Sequence, residues 1–205
     1  STDYTTNSFN HSYATAGTYL ARLIVTANGG CQDTLIKPIV ASPNPQVNFS
    51  YAPECEGNAM SFTDLTTISS GNLDQWLWQW GDGSNPSGAH SPAHVYLADG
   101  WYIVTLTVTS DSGCSISYAD SVEVFSIPDV DFLSPEVCSN DTVFYNDSSI
   151  STQGMINYWE WDFGDGWPVD YNQHTAHLYA THGTYNIRLT VATDKGCTNT
   201  VVKPQ

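Results

Sequence analysis

Three histidines, His11, His94 and His177, fall at equal intervals along the chain, each two positions before a tyrosine (Tyr13, Tyr96, Tyr179). Imidazole is the side chain best suited to moving protons near neutral pH, so these are the first candidates for catalysis. A catalytic histidine needs a nucleophile or a metal beside it. The chain contains neither Gly-x-Ser-x-Gly nor His-Glu-x-x-His. Copies kept in step with their tyrosines read instead as structural histidines, each bonded to a buried polar group.

Carboxylates offer a second chemistry. Asp162, Asp165 and Asp170 could gather around calcium, which takes oxygen ligands. Their spacing lacks the Asp-x-Asp-x-Asp-Gly of a calcium loop, and Gln79 stands one repeat earlier where Asp162 stands later. Asp82 and Asp165, each between two glycines, are expected to cap turns, with Gly supplying positive φ. No metal and no cofactor is expected, and the chain is not expected to be an enzyme.

The five cysteines carry a third chemistry. The spacing from Cys55 to Cys114 is the same as that from Cys138 to Cys197. The match predicts the disulfides Cys55–Cys114 and Cys138–Cys197, each inside its own domain, and puts the mate of Cys31 before Ser1. Closing a loop of about 60 residues would contribute about 4 kcal/mol in the chain-entropy model. Buried free thiols are the alternative, and zinc is disfavoured because no Cys-x-x-Cys exists. Disulfides imply an oxidising, extracellular setting.

The elements that hold these residues repeat with them. Gly183–Cys197 runs Gly-x-Tyr, then alternating apolar positions (Tyr185, Ile187, Leu189, Val191), then Gly-Cys, and the same frame occurs at 17–31 and 100–114. Period-two alternation is the mark of a strand with one buried face. A second strand carries Trp76, Trp78 and Trp80, or Trp159, Trp161 and Phe163, on one face and ends in Gly-Asp-Gly. Strands are expected near 47–51, 58–65, 75–80, 93–97, 101–109 and 115–124, again near 130–133, 141–146, 157–163, 176–179, 184–193 and 198–202, and in an N-terminal part at 11–13, 18–26 and 34–40. No stretch shows a helical period. Many short strands broken by Gly, Pro, Asn and Asp indicate an all-β sandwich. The repeat step, from Gly17 to Gly100 and from Gly100 to Gly183, suits a small autonomous domain.

The expected domains are 1–41, the closing half of one, then 42–124 and 125–205, with both ends reading as interior points of a longer polypeptide. Across 29 positions, 11–39 and 177–205 share 15 residues, whereas 11–39 and 94–122 share nine, so two domain types are expected to alternate. The linkers, 42–45 and 125–128, are short and carry proline, which predicts stiff junctions and domains set end to end.

Trp-Asp-Phe-Gly-Asp-Gly (161–166), followed by His-x-Tyr, Gly-x-Tyr and the alternating strand, resembles the PKD (polycystic kidney disease) domain over essentially the whole chain. The resemblance implies an immunoglobulin-like sandwich of about seven strands. It implies a structural role for the motif residues Trp78, Asp82, His94, Tyr96, Trp161, Asp165, His177 and Tyr179. With its cysteine pair, the chain is similar to PKD repeats of giant secreted proteins of Bacteroidota.

Charge narrows the partners. Five Lys plus Arg against 21 Asp plus Glu, a formal charge of −16, disfavour nucleic acid and anionic membrane. No apolar run approaches a membrane span. Trp101 and Trp167 have no aromatic counterpart in the other full repeat and are the candidate surface contacts. Tripeptides such as Asp120-Ser121-Val122 resemble an O-glycosylation sequon of Bacteroidota. The expected function is a stalk or filament segment of a cell-surface protein serving adhesion, gliding or cell–cell contact. Its partners would be neighbouring repeats, other copies in a filament, or protein or glycan on another surface. The alternatives are an accessory spacer or substrate-binding array of a secreted hydrolase, and a receptor ectodomain.

Overall fold

A computed structural model describes residues 10–133, 135 and 141–204. An N-terminal hairpin pairs β1 (Gly17–Thr26) with β2 (Gln32–Ala41). The domain that follows comprises β3 (Phe49–Tyr51), β4 (Glu54–Cys55), β5 (Ala59–Asp64), β6 (Leu73–Gln79), β7 (Ala93–Val95), β8 (Gly100–Ser110) and β9 (Ser115–Phe125). They form two sheets, β3-β5-β7 and β4-β9-β8-β6. The downstream domain repeats the plan with β10 (Phe132–Leu133), β11 (Thr142–Asp147), β12 (Ile156–Asp162), β13 (His174–Leu178), β14 (Asn186–Thr193) and β15 (Thr198–Pro204), in sheets β10-β11-β13 and β12-β14-β15. The fold is all-β, two immunoglobulin-like sandwiches in tandem. Among the described residues no helix is long and apolar enough to cross a membrane.

Alternation explains the packing. Along β8, Val104, Leu106 and Val108 are buried, and along β14, Ile187, Leu189 and Val191. Each row meets the opposite sheet around one tryptophan. Trp78 packs with Phe49 and Phe62, and Trp161 packs with Phe132 and Tyr145. The indole N–H groups are satisfied inside the core: Trp78 donates to Ala89 O at 3.0 Å and Trp161 to Asn172 O at 3.0 Å. Burying aromatic surface without an orphaned donor is what lets so large a ring sit at the centre.

Among the described residues, the β1–β2 hairpin has no second layer. Leu23 and Val25 are 54% and 58% exposed, although Leu106 and Val108, one repeat later, are fully buried. Among the described residues these core-type side chains have no facing sheet. His11–Tyr13, expected as a strand, is not one. Its counterpart one repeat later, His94–Tyr96, overlaps β7, which is held by pairing with β5, and a strand needs such a ladder to exist.

Candidate functional site

The histidines are placed by the Gly-Asp-Gly turns. His94 Nε2 lies 2.7 Å from Asp82 Oδ2, and His177 Nε2 lies 2.7 Å from Asp165 Oδ2. Each ring stacks on the last aromatic of the tryptophan strand, His94 on Trp80 at 4.4 Å and His177 on Phe163 at 4.1 Å, and meets Tyr96 or Tyr179 edge-on. Tyr96 in turn donates to Trp80 O at 3.1 Å, and Tyr179 to Phe163 O at 3.3 Å. Burial alone would push Asp82 up, but hydrogen bonds from Ser84 and His94 outweigh it and hold the carboxyl at about 2. Asp165 is likewise lowered, burial being outweighed by His177 and the Trp167 amide.

Ser84 Oγ, 3.4 Å from His94 Nε2 and 2.6 Å from Asp82 Oδ1, completes a Ser–His–Asp trio in the upstream domain. Its geometry is wrong for acyl transfer. Both partners address the same ring nitrogen, so no base relay runs from carboxylate through the ring to the hydroxyl. Trp167 occupies the serine's place in the downstream domain. The trio locks a turn to a sheet.

The turn itself demands glycine. Gly81 and Gly164 have φ of +83° and +75°, and an added Cβ would fall 2.5 Å from Ile103 O and 2.6 Å from Asn186 O. The carboxylates weighed as calcium ligands are each engaged separately. Asp162 pairs with Arg188 at 2.9 Å, Asp165 with His177, and Asp170 with Thr175 at 2.7 Å. Among the described residues no three metal-binding side chains converge.

Gly-x-Tyr has a role that sequence reasoning did not assign. Tyr19, Tyr102 and Tyr185 donate to the carbonyl four residues back, Thr15, Ala98 and Thr181, at 2.7, 2.9 and 2.8 Å. This is the tyrosine corner of immunoglobulin-like sandwiches. Asp64 and Asp147 were also missed. Each accepts a tryptophan N–H, from Trp76 or Trp159, at 2.8 Å. The repeat step that relates them was the available signal.

The predicted disulfides require correction. Cys55 is bonded to Cys197, with Cα atoms 5.7 Å apart, and Cys31 and Cys114 are free thiols; Cys138 lies outside the described residues. Cys55 pairs with Phe125 at the end of β9, whereas Cys114 immediately precedes the start of that strand. Eleven extended residues span about 37 Å, and a disulfide tolerates at most about 7 Å between Cα atoms. The cysteine of the next Gly-Cys loop, in contrast, arrives where the linker delivers the following domain. The bridge therefore crosses from one domain to the other.

Around it the junction is sutured. Glu56 accepts the amides of Asp99 (3.1 Å) and Ile127 (3.2 Å), and its own amide donates to Phe125 O (2.8 Å). From the downstream side Gln153 accepts the Ser126 amide (3.1 Å), Thr152 bonds Ser126 Oγ (2.8 Å), and Lys195 lies over the Phe125 ring at 5.2 Å. Pro128 is buried, but linker residues 125–127 are held by side chains of both domains. Trp101 and Trp167 are 64% and 69% exposed.

The PKD domain family matches residues 40–125 and 126–204. The Pre-pro-metalloprotease PrtV of Vibrio cholerae is 28% identical over 151 residues, 71% of this chain and 16% of that protein. Polycystin-1 of Homo sapiens is 31% identical over 144 residues, 57% of this chain and 3% of that one. The chain thus spans a small part of the length of these relatives. Crystal structures of the PKD1 domains of Vibrio anguillarum Epp and of V. cholerae PrtV are similar to it. Their identities are 27% and 31%, each aligned to 41% of this chain, covering 96% and 98% of theirs, with TM-scores of 0.38 and 0.36.

Proposed function

The chain belongs to the PKD domain family, and on that footing we propose that it is a non-catalytic, load-bearing segment of a longer extracellular protein. The observation that carries this reading is the Cys55–Cys197 bond, which fixes one domain to the next by a covalent link outside the linker. A catalytic module gains little from such a bond; a spacer that must hold its length gains much. Residues 42–124 and 125–205 act as complete domains set end to end, and 1–41 closes a third. Cystine at the junction and a formal charge of −16 suit an oxidising exterior. The segment then serves adhesion, gliding or cell–cell contact on a cell surface; the relatives that support an extracellular setting are Vibrio and human proteins rather than the Bacteroidota repeats expected from the sequence. The exposed Trp101 and Trp167 are the places where a protein, a glycan or another copy would touch it.

Small-angle scattering tests this reading. A compact globule of 205 residues has a radius of gyration of about 17 Å. The expected value is clearly larger, with a maximum dimension near twice that of one domain. A value matching the globule would overturn the stalk. A second reading draws on the similarity to Pre-pro-metalloprotease PrtV: an accessory array beside a hydrolase domain. A compact particle would favour it.

A further inference from the structure

We propose that Cys114 is half of a second cross-domain disulfide, joined to a cysteine one repeat step upstream of Cys55 in the polypeptide, and that the cavity beside it is the seat of that upstream segment. The step is the interval from Cys114 to Cys197. The inference rests on the reading of this chain as part of a longer array.

The two Gly-Cys loops are built alike. The Ser110 amide donates to Cys114 O at 2.9 Å and the Thr193 amide to Cys197 O at 2.9 Å. The Cys114 amide returns to Ser110 Oγ at 3.2 Å, and the Cys197 amide to Thr193 Oγ1 at 3.3 Å. Both sulfurs are thus presented to the end of the domain that meets its predecessor. Cys197 there finds Cys55. Cys114 instead lies with its Sγ 4.0 Å from Ser42 O, and Ser42 is the counterpart of Phe125.

Beside it opens a cavity of about 380 Å³ whose lining includes Tyr13, Ala16, Ser42 and Asn44. One repeat later these are Tyr96, Asp99, Phe125 and Ile127. Those four residues bind the Cys55–Gly57 segment. Gly57 donates to Tyr96 O and Glu56 to Phe125 O, both at 2.8 Å, while Glu56 accepts the Asp99 and Ile127 amides. The cavity therefore has the outline of a known occupant. The bare face of the β1–β2 hairpin, with Leu23 and Val25 exposed, calls for the same upstream half-domain.

Bond formation proceeds by exchange. One thiolate attacks an oxidised thiol–disulfide carrier and releases its first thiol. The second thiolate then displaces the other, so two protein thiols become one disulfide and the carrier becomes a dithiol.

Non-reducing proteolysis and mass spectrometry of the polypeptide as its source secretes it, alkylated before digestion, decides the matter. The expected result is a peptide containing Cys114 joined to a peptide whose cysteine lies one repeat step before Cys55. Cys114 recovered as an alkylated thiol, or joined to Cys55 or Cys138, overturns the proposal. The same digest reads Cys55–Cys197 separately. Its presence beside an alkylated Cys114 removes only this inference, and its absence removes the load-bearing reading as well.

Discussion

At the scale of the residue, the two Asp–His pairs tie stability to acid. Asp82 has an ordinary pKa of 3.8 and is held at about 2 in the fold, so the folded state binds fewer protons than the unfolded chain in that interval. Its stabilising effect is complete above pH 3.8 and is lost as pH falls toward about 2. Asp165 shifts in the same direction. Asp82→Asn with Asp165→Asn should therefore be less stable than wild type at pH 7 and should lose less stability on acidification through this window. Urea unfolding at a series of pH values measures both. If the double variant and the wild type lost stability in parallel between pH 4 and pH 2, these carboxylates would not be the acid-sensitive groups. The sequence pointed to structural histidines, because they come in step with tyrosines and without a nucleophile. It did not show their partner, because Asp82 and His94 are twelve residues apart on different elements and only the sandwich brings them together.

At the scale of the element, alternation was legible and ends were not. Val104–Val108 and Ile187–Val191 could be placed on one face because a strand repeats every two residues. β4 escaped because two residues carry no period, and it exists only by pairing with the end of β9. The disulfide escaped for a related reason. A pairing within each domain and a pairing across domains fit the same repeat step, and only the length of β9 decides between them. The hairpin offers a test of this reading of the elements. Leu189→Ala should cost about 2–5 kcal/mol, as truncation of a buried leucine does. Leu23→Ala, at the equivalent frame position of an exposed hairpin face, should stay within about 0.5 kcal/mol in this chain. Thermal or urea unfolding of the two variants compares them directly. A large loss for Leu23→Ala would mean that β1 already packs against a partner in solution.

At the scale of the molecule, the cross-domain bond changes how force travels. Pulled from its two ends, the oxidised chain passes tension from Cys55 directly to Cys197 and leaves the 142-residue span between them unloaded. Disulfides confined to single domains, Cys55 to Cys114 or Cys138 to Cys197, would each protect less than half of that span. If Cys114 and its counterparts continue the pattern, the shortest covalent path bypasses most of every two-domain unit. That is the same two-domain period at which Gly-Thr-Tyr and Lys-Pro recur. Single-molecule stretching of this chain should show the effect. At about 3.4 Å per residue the protected span corresponds to about 480 Å of contour length. That length should be missing from the extension in oxidising buffer and should appear when a reductant is added or in Cys197→Ser. In the chain-entropy model closure of so long a loop is worth about 5 kcal/mol, so Cys197→Ser should also lower resistance to denaturant. Equal extension with and without reductant would mean that the bond carries no load. The linker would then be the sole covalent path that bears tension between the domains.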